Sequence, residues 1–150
     1  LHKYLSLAGT KIPYNTDQWD GYPKEREKFY KTISNSQSSL ILAGDSHNSW
    51  LSNLFDKNNK FVGVEIGAPS ITSPNFVDTF GDFTGALDKS FVDSNKDLIW
   101  TNGRNKGYVE LNVYSEYVDV KFNFVSSVKS KNYKNLRPKT FKINHSKAIT

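Results

Sequence analysis

The plainest pattern lies in the C-terminal half of the chain. In "GYVELNVYSEYVDVKFNFVSSV", Val109, Leu111 and Val113 alternate with polar residues, and Val118, Val120, Phe122 and Phe124 do so again after a polar link near Ser115–Glu116. Side chains on a strand alternate faces, so two period-two runs with a short link predict an antiparallel hairpin. The middle of the chain reads differently. Ser39–Ala43 carries an unbroken apolar run bounded by polar residues, and "KFVGVEIG" (60–67) is a second. Runs of this kind suit strands buried on both faces, as in a sheet covered by helices. Ahead of them, Pro23 stands where a helix favours its first residue, and Glu25 and Glu27 suit the positive end of the helix dipole. Tyr22, Phe29, Tyr30 and Ile33 supply one partly apolar face, which predicts a helix over about 23–35. Residues 1–22, punctuated by Gly9, Pro13 and Gly21, read as irregular. "APSITSPNF" reads as a turn-rich loop, and residues 76–98, with Gly81, Gly85 and several Asp, as irregular or short helices. Helix, buried strand, strand, irregular connection and hairpin together predict a layered α/β fold rather than an all-β module.

Composition narrows the picture only a little. A length of 150 residues suits one ordinary domain, and 37% hydrophobic with 14% aromatic residues excludes compositional disorder. No apolar run approaches the ~20 residues of a membrane-spanning helix. The net charge of +5 favours anionic partners without choosing among them. Much of the excess lies in Lys129, Lys131, Lys134, Arg137, Lys139, Lys142 and Lys147, so about 129–150 read as a solvated basic tail. With no cysteine, disulfides, thiolate ligands and a Cys nucleophile are excluded. The first residue is Leu1 and no signal-like segment follows, as expected of a processed or partial sequence.

Candidate chemistry concentrates in "LILAGDSHNSW" (40–50). Ligands in open α/β sheets gather beyond the carboxyl ends of strands, and Gly44 is placed to turn the chain there. Asp45 and His47, two apart in an extended loop, would then project the same way. A hard carboxylate oxygen beside a neutral imidazole nitrogen suits Fe, Mn or Zn. As a bare pattern, however, Gly-Asp-x-His is more often a turn and capping arrangement. Two donors also fall short of the three that a catalytic metal usually takes from protein. Asp17, Asp20, Glu65, Asp78 and Asp82 are further acids, and their spacing singles none out. Ser46 and Asn48 read as turn hydrogen-bonders, Trp50 as a core or wall residue, and "SITS" (70–73) as a Ser/Thr turn or a set of phosphate donors. His2 and His145, near the termini in polar surroundings, are not expected to take part in catalysis.

Three ordered blocks carry a family likeness. "DQWDGYPKEREKF" (17–29), "LILAGDSHNSW" (40–50) and "VGVEIGAPSITSPNF" (62–76) resemble the PhoD-like alkaline phosphatases, and "LIWTNGRNKGYVELNVYSEYVDVKFNFVSSV" is similar to that family's closing strands. The resemblance runs to about Val128 and corresponds to the C-terminal part of the family's catalytic domain. It implies a metallophosphoesterase-type layered α/β sandwich, related to the purple acid phosphatases. It implies hydrolysis of phosphate mono- and diesters with divalent or trivalent metal ions, iron and calcium among them, in a periplasmic or secreted enzyme. Asp45 and His47 match the last metal-binding block and are implied as metal ligands. Trp19, Asp20, Gly21 and Tyr22 match a neighbouring loop block close to the site. The family's earlier metal-binding blocks have no counterpart ahead of "DQWDGY". Residues 1–150 are therefore expected to form one part of a single catalytic domain, incomplete and inactive alone.

A second class of function competes. Ten Phe, eight Tyr and three Trp beside a +5 charge would also suit a non-catalytic module that holds nucleic acid or polysaccharide. No ribonucleoprotein-type motif and no alternating basic and aromatic stripe is found, so nucleic acid is not the expected partner and the enzyme ranks first. Oligomeric state is not legible in these residues.

Overall fold

The computed structural model describes residues 4–7, 10–13, 15–35, 39–145 and 147–150, with 4–7 and 10–13 as backbone alone. In chain order the elements are β1 (Tyr4–Leu7), β2 (Thr10–Pro13), α1 (Pro23–Ile33), β3 (Leu40–Ala43), β4 (Ser49–Phe55), β5 (Phe61–Gly67), α2 (Phe76–Phe80), α3 (Thr84–Ser94), β6 (Leu98–Asn102), β7 (Lys106–Val113), β8 (Tyr117–Val125) and β9 (Lys139–Asn144). Short 3-10 turns lie at Trp19–Gly21 and Gly81–Phe83.

The strands form a mixed sheet in the order β3-β5-β4-β6, an antiparallel sheet β7-β8-β9, and the hairpin β1-β2. Within the mixed sheet β3 runs parallel to β5, and β4 is antiparallel to both β5 and β6. Leu51, Val64 and Ile66 of this sheet pack against Val118, Val120, Phe122, Phe124 and Ile143 of the antiparallel sheet. Its other face carries Trp50 and Leu98, covered by Phe76 and Phe91, and Leu54 and Val62, covered by Tyr30. The result is a mixed α/β arrangement of helices, sheet and sheet.

Burial holds these layers. A fully buried large apolar side chain contributes about 1.5–3 kcal/mol, whereas an exposed ion pair such as Lys28 with Glu25, 2.7 Å apart, adds a few tenths. An isolated helix of 11 residues is marginal in water, so α1 depends on seating Tyr30 against Leu54 and Val62.

Several expectations stand. The helix begins at Pro23 and ends at Ile33, two residues before the expected limit. The hairpin pairs from Lys106↔Val125 to Val113↔Val118, and Val118, Val120, Phe122 and Phe124 are all buried. Others need correction. Residues 1–22 are not irregular throughout, since β1 and β2 pair antiparallel. Ser39–Ala43 is not buried on both faces: Leu42 is 65% exposed, and no residue of β3 is fully buried. An apolar run reports side-chain chemistry, whereas coverage depends on which neighbours arrive.

The buried strand expected at 60–67 is β5, and β4 is buried as extensively although Ser49, Ser52 and Asn53 interrupt its hydrophobic pattern and hide it. Asn53 is used structurally: its Nδ2 donates to the Ile149 carbonyl and its Oδ1 accepts the Ile149 N–H, both at 2.9 Å. Within 76–98 the short helices expected as one alternative are present as α2 and α3, and β6 begins at Leu98, the last residue of that span. Nor is 129–150 simply a solvated tail. β9 completes the second sheet, with Phe141 and Ile143 alternating between lysines and polar residues, and Ile143 lies in the shared core.

Candidate functional site

The segment Gly44–Asn48 joins β3 to β4 beyond the carboxyl ends of the parallel pair β3/β5, the position where α/β sheets collect ligands. Its backbone is not extended. Asp45 and His47 hold φ of 64° and 61°, while Gly44 lies outside that left-handed region. The sharp turn expected of Gly44 is thus made by the two candidate residues themselves. The Ser46 N–H donates to the Gly44 carbonyl at 2.7 Å, closing a three-residue turn around Asp45.

Four anchors fasten this turn. The Trp50 Nε1–H donates to Ser46 Oγ at 2.8 Å, and Asn48 Nδ2 donates to the Ser46 carbonyl at 2.8 Å. Asn48 Oδ1 accepts the Phe76 N–H at 3.1 Å, tying the loop to the first turn of α2. The Ser70 N–H donates to the His47 carbonyl at 3.1 Å. Ser46 and Asn48 therefore act as the turn hydrogen-bonders expected of them. Trp50 is 1% exposed and meets Phe91 edge-on at 5.3 Å, so it belongs to the core while also walling the adjacent cavity. "SITS" forms a turn in which Ser70 Oγ donates to the Ser73 carbonyl at 2.7 Å.

His47 Nδ1 lies 2.6 Å from the Pro74 carbonyl. A carbonyl can only accept, so Nδ1 carries the hydrogen, and in the neutral imidazole Nε2 then keeps its lone pair. Among the described residues Nε2 has no hydrogen-bond partner. A metal-binding histidine is commonly oriented in this way, by a backbone carbonyl on its other nitrogen. Asp45 likewise accepts no hydrogen bond from the described residues, leaving its carboxylate oxygens available.

A cavity of about 570 Å³ opens beside the turn, lined by Asp17, Trp19, Tyr22, Asp45, Trp50 and Glu65 among others. Trp19 is 42% exposed and stacks on Phe29 at 5.7 Å; Tyr22 is 54% exposed at the start of α1. Asp20 is spent elsewhere. Its carboxylate pairs with Arg26 Nη1 at 3.3 Å, and the two side chains are 4% and 6% exposed. Such a pair fixes the loop onto α1, since removing either partner would leave a buried charge alone. Of the remaining acids, Asp78 binds Lys106 and caps α2 through the Asn75 N–H, and Asp82 lies 3.7 Å from Arg104. Glu65 and Asp17 share the cavity with Asp45, a juxtaposition their spacing did not announce. A charged residue inside the apolar run "VGVEIG" was the available signal for Glu65. Burial pushes the Tyr30 hydroxyl well above its ordinary pKa, with the nearby Arg26 opposing and Glu65 adding to that shift. His145 Nε2 faces the Tyr114 carbonyl at the far end of the second sheet, and His2 lies outside the described residues.

The donor chemistry of Asp45 and His47 fits a metal ion, with one carboxylate and one imidazole nitrogen unengaged. The number does not suffice alone: among the described residues no group of three or more His, Cys, Asp or Glu is placed to hold one.

An α/β protein presenting an Asp-x-His turn beyond a parallel strand pair is the class these features define. The chain belongs to the PhoD-like phosphatase family, whose model matches residues 2–122. It is similar to alkaline phosphatase D of Bacillus subtilis (strain 168), with 44% identity over 66 residues, covering 40% of this chain. That match spans 11% of the relative's length. No solved structure matches. Among the described residues no helix is long and apolar enough to cross a membrane.

Proposed function

We propose that this chain is one part of a metal-dependent phosphatase that hydrolyses phosphate mono- or diesters, and that Asp45 and His47 are two of its metal ligands. The orientation of His47 carries this reading: the Pro74 carbonyl fixes Nδ1–H and leaves Nε2 to donate. Asp45 brings an anionic oxygen, held by the turn that Ser46 closes. A bound metal would polarise a phosphoryl oxygen and lower the pKa of a bound water. Trp19 and Tyr22, exposed on the cavity wall, would take the organic part of the ester. Two donors fall short of a catalytic set, so further ligands come from outside these residues and the isolated chain is inactive. Iron and calcium as the metals, and export from the cytoplasm, follow from the family likeness. The alternative, a basic binding module without chemistry, leaves the His47 geometry unexplained.

The test uses the complete protein. His47→Ala should lower both the bound metal, measured by elemental analysis, and the hydrolysis of an aryl phosphate, each by about 10–100-fold or more. Parental turnover by this variant would overturn the assignment.

A further inference from the structure

One of the remaining acids, Asp78, reaches toward His47 through the backbone. The carbonyl that orients His47 belongs to the Pro74–Asn75 peptide. The N–H of that same peptide, from Asn75, donates to Asp78 Oδ2 at 3.0 Å. A trans peptide is planar and points its N–H and C=O in opposite directions, so one unit is held from both sides. A continuous line therefore runs from the Asp78 carboxylate, through one amide group, to the Nδ1–H of His47. Lys106 secures the carboxylate end. Its Nζ donates to Asp78 Oδ2 and, at 3.3 Å, to Asn75 Oδ1, and its side chain is 10% exposed. The bonds from Lys106 and the Asn75 N–H hold the Asp78 carboxyl below its ordinary pKa, so it is anionic at neutral pH. The start of α2 is fixed independently of that charge. The Phe76 N–H donates to Asn48 Oδ1, and the Val77 N–H donates to the Gly103 carbonyl at 3.0 Å. Gly103 is itself held, its N–H shared between both Asp88 carboxylate oxygens at 3.1 Å. Of the three successive N–H groups from Asn75 to Val77, the one that meets an anion is that of the peptide facing His47.

Negative charge on the N–H side polarises an amide and makes its carbonyl oxygen a stronger acceptor; hydrogen bonds in a chain reinforce one another by about 10–30% each. The 2.6 Å separation between His47 Nδ1 and the Pro74 oxygen, below the usual range of about 2.7–3.2 Å, agrees with a strengthened acceptor. We propose that Asp78 is a positioning residue for His47, acting through the Pro74–Asn75 peptide: its charge strengthens the Pro74 carbonyl, which holds the imidazole as the Nδ1–H tautomer and makes Nε2 a better metal donor. The inference rests on the metal-ligand reading of His47 and adds the residue that tunes that ligand. Because the Asp78 side chain is 28% exposed and an amide intervenes, water screens part of the effect.

Nitrogen NMR of the complete protein, with the histidine rings labelled and metal removed by a chelator, reads the tautomer at a pH where the imidazole is neutral. The parent should show His47 with its hydrogen on Nδ1. Asp78→Asn places a neutral carbonyl oxygen where Oδ2 stands, so it keeps an acceptor and loses the charge. It should shift the His47 population toward Nε2–H. In a competitive zinc titration it should weaken binding by about three- to tenfold, less than the loss of a partner bonded directly to the ligand. Asp78→Glu restores the charge with the acid that a capping box commonly carries at this position, and should retain the parental tautomer and affinity. Phe80→Ala trims a half-exposed ring from the far end of α2 without touching the peptide, and should leave both readouts unchanged. Three results would overturn the role of Asp78: a parental tautomer and zinc affinity in Asp78→Asn, an equal shift in Phe80→Ala, or loss of both in Asp78→Glu. His47→Ala separates the two ideas. If it loses metal and turnover while Asp78→Asn matches the parent, the role of Asp78 fails and the metal-ligand reading stands. If His47→Ala keeps both, the metal-ligand reading fails, and the role of Asp78 at a metal fails with it even where the tautomer shifts.

Discussion

Neighbouring residues in the Gly44–Asn48 turn should respond to alanine with opposite signs. Asp45 holds φ of 64°, a conformation that costs an L-residue about 1–2 kcal/mol and glycine almost nothing. Asp45 makes no hydrogen bond with the described residues, so replacing it removes no contact. Asp45→Gly relieves the backbone cost but enlarges the unfolded ensemble, which returns about 0.4–1 kcal/mol. Asp45→Ala retains the cost and loses the tolerance aspartate has for this region. Glycine should therefore be more stable than alanine at position 45 by roughly 1 kcal/mol. Position 44 reverses the order. A Cβ on Gly44 meets nothing within 4 Å, and its φ lies outside the left-handed region. Gly44→Ala should stabilise the chain by about 0.4–1 kcal/mol, because it restricts only the unfolded state. For a chain of this size each kcal/mol moves Tm by about 2–4 °C, so thermal melts followed by circular dichroism resolve both effects. If Asp45→Ala is as stable as Asp45→Gly, or Gly44→Ala is less stable than the parent, the turn is not strained at Asp45 as described.

Other changes test the anchoring of that turn and its surroundings. Trp50→Phe removes the Nε1–H that Ser46 Oγ accepts at 2.8 Å and should cost about 1–3 kcal/mol in urea unfolding; an unchanged midpoint would mean the anchor contributes nothing. Gly67→Ala would bring a Cβ to 2.8 Å from Trp50 Cδ1 and 3.1 Å from Trp50 Cβ. With the indole enclosed by Phe76 and Phe91, this overpacking should cost about 1–3 kcal/mol, read from the same unfolding curves. Asp78 accepts from Lys106 and from the Asn75 N–H, and these bonds hold its carboxyl below the ordinary aspartate pKa. Because the unfolded carboxyl binds protons more readily, its contribution is complete above about pH 4 and is lost as pH falls below that value. Asp78→Asn should flatten the acid limb of the stability profile, and an unaltered limb would contradict the role given to Lys106.

How much was legible follows from how far apart the deciding partners lie. Pro23, Glu25 and the apolar face around Tyr30 are local signals, and α1 obeys them. The β7–β8 alternation is equally local, and its register follows from the need to bury Val118, Val120, Phe122 and Phe124 together. β4 was hidden because Ser49, Ser52 and Asn53 break its apolar run, and the partner that satisfies Asn53, Ile149, lies 96 positions away. β9 was hidden because Lys139, Thr140, Lys142 and Asn144 surround Phe141 and Ile143 in the chain, and only the second sheet gives that alternation an inner side.

The candidate site divides along the same line. The residues themselves identify Asp45 and His47 as chemistry at the end of an apolar run, since residue type and short spacing are properties of the chain. Tertiary structure decides what state they are in. The Pro74 carbonyl selects the tautomer of His47 from 27 residues away, Trp50 and Asn48 pin the turn to the core, and Arg26 withdraws Asp20 into a buried pair. Glu65 and Asp17 reach the cavity of Asp45 only when β5 and the loop before α1 come together. Local propensity can nominate a ligand; the free lone pair, the held geometry and the neighbouring charge depend on backbone and side chains brought close by folding.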